Sequence, residues 1–195
     1  MTSLLSRVRQ MANDNALPPH LLQTRQWDGP LCRVRLDNTG PDATPVDRWV
    51  LFDGKLGLPV ESAIYGEGFQ MLAQTMGSWQ SPQHVGRCPD ASVYRITDDN
   101  GYHTIHNLLL VEHGKGWLLL AFASCHRFGG EFRLYPDGRL QILLNCEGRK
   151  LAAGEHWQSE SLICLEGAER EDLLAELARL IEAEHGSLIG KVSER

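Results

Sequence analysis

The chain has 195 residues and a formal charge of −6, from 25 acidic and 19 basic residues mixed along its length rather than gathered into blocks. That length suits one substantial core, and the charge pattern supplies no basic patch for a nucleic acid or an anionic membrane surface. Cys32, Cys88, Cys125, Cys146 and Cys164 are odd in number and never spaced as C-x-x-C, which argues against a disulfide framework and a structural zinc site.

Residues 1–30 read as an irregular segment or a short helix over Leu4 to Met11, broken at Pro18-Pro19. Neither a signal-peptide pattern nor an apolar run near the about 20 residues of a membrane span occurs, so a cytoplasmic protein is expected. From Leu31 the text alternates: Cys32, Val34 and Leu36 share one face and charge takes the other. Turn residues from Asn38 to Asp42 then lead to a second strand, Asp47 to Asp53, and the two predict a hairpin.

No clear period runs from Gly57 to Asp90, a connection long enough to be functional or built on short turns. At its centre, Gly66 and Gly68 flank Glu67, and positive φ at the glycines is expected to hold that carboxylate at a tight bend. Such a loop presents Tyr65, Glu67, Phe69, Gln70 and Trp79 to a sugar ring, which takes hydrogen-bond partners beside an apolar platform. Alternatively Tyr65, Phe69, Met71 and Leu72 plug one end of the domain and Glu67 is solvated.

Further strands are predicted over Val93 to Thr97, Thr104 to Glu112, Gly116 to Ser124, Gly130 to Tyr135, Leu140 to Asn145 and Glu160 to Leu165, with turn residues between them. The runs Leu108 to Val111 and Trp117 to Phe122 are continuously apolar, which predicts strands covered on both faces. A helix begins near Glu169, where Leu173, Leu174, Leu177, Leu180 and Ile181 recur at helical spacing; Gly186 after His185 stops it. The fold class expected is mainly β, a large antiparallel sandwich over 31–168 with a C-terminal helix and linker over 169–195.

The run Tyr65-Gly66-Glu67-Gly68-Phe69-Gln70-Met71-Leu72, the segment from Val34 before Val50-Leu51-Phe52-Asp53, and the turn Ser124-Cys125-His126-Arg127-Phe128 together carry a family likeness. In their order and spacing they resemble the N-terminal domain of bacterial α-galactosidase-like proteins of glycoside hydrolase family 36, from about Leu31 to His185. The resemblance implies a supersandwich like that of galactose mutarotases, leading through a helical linker to a catalytic (β/α)8 barrel that holds both aspartates of a retaining mechanism. It places no catalytic residue in this chain. The parent reaction it implies is hydrolysis of terminal α-galactosides, with a galactoside ligand, support of the barrel, and a homo-oligomer as the assembly. An exposed apolar patch is then expected on the helix Glu169 to His185 or near Phe69.

Two rivals follow from other classes. A free-standing carbohydrate-binding module would stack Trp79, Trp117 or Trp157 on a sugar. A mutarotase-like epimerase would pair Glu112 with His103, His106 or His126, as base and acid. Asp53, Glu67, Glu112 and Glu131 read as solvated carboxylates at turns and strand ends rather than as a glycosidase pair. Gly66 and Gly68 lack the lysine and following helix of a phosphate loop, Cys125 beside His126 is adjacency only, and no metal-ligand cluster stands out; no cofactor is expected.

Overall fold

A strand forms wherever alternate side chains can be buried on one face, and a pair of strands persists when the backbone groups of both edges find partners. A computed structural model of the protein describes residues 3–12, 17–70, 72–86, 101–114 and 116–186. Its elements begin with α1 (Leu4–Gln10), β1 (Leu21–Asp28), β2 (Leu31–Asn38), β3 (Thr44–Lys55), β4 (Ala63–Glu67), β5 (Gln74–Ser78) and β6 (Pro82–Val85). They continue with β7 (His103–His113), β8 (Gly116–Phe122), β9 (Gly129–Leu134), β10 (Arg139–Leu151), β11 (His156–Gln158), β12 (Leu162–Gly167) and α2 (Arg170–His185). The fold is mainly β, an antiparallel sheet curled strongly upon itself as a sandwich, with α2 against it.

Cys32, Val34 and Leu36 are buried as their alternation predicts, but the hairpin expected between β2 and β3 does not form. One edge of β2 is taken by β1 through a turn at Gly29, and the other by β11 and β12. With both edges occupied, β3 pairs instead with β10, Thr44 opposite Leu151 and Lys55 opposite Arg139. The Asn38 side chain secures the divergence, donating to the carbonyls of Asp42 (2.8 Å) and Leu151 (3.0 Å).

The segment treated as irregular before Leu31 holds β1, whose Leu21 is buried while its alternate residues face solvent. The stretch from Gly57, read as without period, supplies β4, β5 and β6, an antiparallel meander on the far side of β7. The predicted strand Val93 to Thr97 lies outside the described residues.

β7 is the branch point. Its first half, His103–His106, pairs with β9, and its second half, Leu108–His113, with β8. Between them Asn107 takes a left-handed φ of 55°. The sheet thus forks: β8, β12, β2 and β1 run one way, and β9, β10 and β3 the other. Gly130 sits in the crotch, where a Cβ would lie 2.0 Å from the Phe122 ring, so any larger residue would have to displace that buried ring.

The fork encloses one apolar core that includes Trp49, Phe52, Leu109, Leu118, Phe132 and Ile142. On the outer face of β7 and β8, Leu110, Leu119 and Ala121 join Ile163 beneath Leu173, Leu177 and Leu180 of α2. The two continuously apolar runs are therefore covered on both faces, as their composition required. Ser3 caps α1 by accepting from the Ser6 amide (3.1 Å), the Glu166 carboxylate receives the Leu4 and Leu5 amides, and Leu4 and Val8 enter the inner core. Among the described residues no helix is long and apolar enough to cross a membrane.

Candidate functional site

Where the two branches separate, the chain is irregular on three sides, and the irregularities surround a recess of about 270 Å³. The first is the partner switch of β7 at His106 and Asn107. The second is the corner 123–128 between β8 and β9. Glu160, itself buried, builds it by accepting from the Ser124 hydroxyl and from the amides of Arg127 (2.8 Å) and Phe128 (3.3 Å). One carboxylate thus satisfies three donors of the turn, and Cys125, His126 and Arg127 are left exposed.

The third is a bulge in β10 between Asn145 and Arg149, where Glu147 (φ 54°) and Gly148 (φ 70°) both take left-handed backbone. Bulges of this kind re-aim side chains, and here they turn Asn145, Glu147 and Arg149 to the recess. Asn145 is fixed by accepting from the Arg48 guanidinium (2.8 Å) and from the Glu147 amide (3.1 Å). Glu131 contributes a carboxylate that Arg133 (3.0 Å) and Arg48 (3.8 Å) neutralise. Burial pushes the Cys146 thiol up to about 12, against the combined pull of Arg48, Arg149 and Arg127 nearby.

The five residues singled out from the sequence separate. Phe69 is 62% exposed at the rim of the recess, its ring 5.4 Å from that of His106. Glu67 ends β4 opposite His106; it keeps access to water, yet loss of hydration on its sheet side raises its carboxyl pKa. Gln70 lies in the β4–β5 turn, where its carbonyl accepts from the Ala73 amide (2.9 Å). Tyr65 packs instead against the outer core, with Leu110 and the leucines of α2.

Trp79 departs furthest from expectation: it is 2% exposed and its indole N–H donates to the Tyr135 carbonyl (2.8 Å), so it fills the core and offers no face to a sugar. Trp157 is likewise buried. Nor do Gly66 and Gly68 adopt positive φ; Leu72 does, at 65°. Gly66 is needed for proximity, since a Cβ there would meet Ile105 at 2.2 Å. Met71 lies outside the described residues.

The carboxylates considered for catalysis are dispersed. Asp53 is bound by Arg139 and Gln141, Glu131 by its two arginines, and Glu112 stands on β7 six residues from His106 and nine from His103, about 20 and 30 Å along an extended strand. His126 does reach the recess, with its ring 5.5 Å from that of His185 at the end of α2. Among the described residues no three His, Cys, Asp or Glu side chains converge as metal ligands, and Cys32, Cys125, Cys146 and Cys164 are free thiols.

The residues missed from sequence are Asn145, Glu147 and Arg149. Their signal was the polar Glu-Gly pair interrupting an apolar strand, which the reading of β10 as ending at Asn145 passed over. A scan of protein-family models and a search of curated proteins each return no match for this sequence.

Proposed function

We propose that this chain is a non-catalytic β-sandwich domain of a cytoplasmic, α-galactosidase-like glycosidase of family 36. Its work is to support a (β/α)8 barrel that hydrolyses terminal α-galactosides, and to contribute contacts to a homo-oligomer. The observation that carries this reading is the β4–β5 turn. Phe69 (62% exposed) and Leu72 (82%) stand clear of the sheet there, with Glu67 and Gln70 beside them. Large apolar side chains held out by a tight turn, next to polar groups, suit a face that seats against a second domain at the edge of a sugar cleft. The pairing of Asp53 and Glu131 with arginines also fits a domain that leaves bond cleavage to its partner. Free, buried thiols at Cys32, Cys146 and Cys164 accord with a reducing compartment.

The test is complementation. The purified chain, mixed with a family 36 barrel lacking its own sandwich, should co-elute with it and restore turnover of a nitrophenyl α-galactoside; Phe69→Asp and Leu72→Asp should each weaken the complex. Turnover by this chain alone, or a barrel that neither binds it nor gains activity, overturns the reading.

A further inference from the structure

The recess at the fork has a charge balance unlike that of the molecule around it. The whole chain carries −6, yet the recess presents two guanidiniums, Arg127 and Arg149, that make no ion pair or side-chain hydrogen bond among the described residues. Arg127 is held in place by stacking, with its guanidinium carbon 5.2 Å from the ring centres of both Phe128 and Trp157. Arg149 is set by the β10 bulge, beyond the left-handed pair Glu147 and Gly148. Both line the recess, Arg127 from the corner between β8 and β9 and Arg149 from the bulge of β10, so the two charges face one space from separate segments.

Against them stand two carboxylates, and one is already spent: Glu131 is neutralised by Arg133 and Arg48. Glu147 remains, an exposed acceptor for hydroxyl groups. The exposed ring of Phe69 closes another side. The volume falls just below the roughly 300–1,000 Å³ of sites for drug-sized ligands, which sets the occupant near the size of a monosaccharide.

We infer that this recess binds a small anionic sugar, its phosphate or carboxylate between Arg127 and Arg149 and its ring against Phe69. Guanidiniums recognise both anions through paired N–H donors, and an aromatic face accepts the apolar side of a pyranose. Phe69 serves in both readings, but this inference concerns binding by the free chain and needs neither barrel nor turnover, so the two fail in separate experiments.

Isothermal titration calorimetry on the 195-residue chain tests it, with glucose 6-phosphate and glucuronate as probes and galactose and inorganic phosphate as controls. At least one anionic sugar should bind about tenfold more tightly than either control, and more weakly as ionic strength rises. Arg149→Gln, an exposed change on the bulge, should lower that affinity about tenfold with the melting temperature unchanged, and Arg127→Lys should retain more of it than Arg127→Gln. Phe69→Ala should weaken the sugar anion but leave inorganic phosphate unaffected. Galactose binding as tightly as its charged relatives, inorganic phosphate matching them, or no binding by either anionic sugar each overturns the inference.

Discussion

Asp53 shows how one side chain can tie distant parts of this chain together. It lies on β3 at the pairing with β10, and its carboxylate accepts from the Arg139 guanidinium and from Gln141 Nε2 (2.7 Å). Arg139 in turn lies over the Tyr135 ring (4.8 Å), whose hydroxyl donates to Gln141 (2.7 Å). Burial alone would raise the Asp53 pKa, but the hydrogen bonds from Arg139 and Gln141 outweigh it and hold the carboxyl below its ordinary range. A depressed folded-state pKa gives stability that is present above the unfolded value, about 3.9, and lost as pH falls through the lower folded value. Asp53→Asn should therefore cost roughly 1.5–3 kcal/mol at pH 7, the range for a hydrogen bond to a charged group. Urea titrations should show the gap between variant and parent narrowing as the pH is taken below about 4; a gap independent of pH would mean that the charge contributes nothing.

At the scale of elements, α2 is where sequence and structure agree best. Leucines at i, i+4 and i+7 place Leu173, Leu177 and Leu180 on one stripe, and that stripe is the lid of the outer core. The patch expected on this helix is thus covered within the chain, while the one near Phe69 stays open. Leu177→Ala should destabilise by about 2–4 kcal/mol through lost burial and a residual cavity, readable in the urea midpoint. A cost under about 0.5 kcal/mol, the range of surface substitutions, would show that α2 rests on the sheet without being packed into it. The doubly covered runs of β7 and β8 were equally legible, because composition alone reports burial on two faces. Pairing was not legible. The turn residues after Asn38 favour a local hairpin, and nothing within that segment announces that β2 already has two neighbours or that Thr44 will meet Leu151. Only Phe69 of the five expected site residues joins the recess, because its walls come from segments near residues 69, 106, 125–131 and 145–149, which meet only once β7 forks.

For the molecule as a whole, curling brings the two terminal strands of the branches, β1 and β3, alongside each other without a shared ladder. Side chains span the gap. Gln23 on β1 accepts from the Trp49 indole N–H (2.7 Å) and donates to the Leu51 carbonyl (3.4 Å), and Trp27 packs on Phe52 at 5.9 Å. Arg25 lies over the Phe52 ring and donates to the Met11 carbonyl (2.6 Å), and Ala12 bridges to Asp53. Trp49 is fully buried, so removing its acceptor leaves a donor without water or a partner, a cost of about 1–3 kcal/mol. Gln23→Ala should lower stability by that amount and also open the seam. Hydrogen exchange distinguishes the two consequences: amides of β1 should lose more protection than those of β7 and β8, which lie at the fork and keep both neighbours. Equal loss in every strand would mean that the variant lowers global stability alone, and that the seam between β1 and β3 opens only when the whole sandwich does.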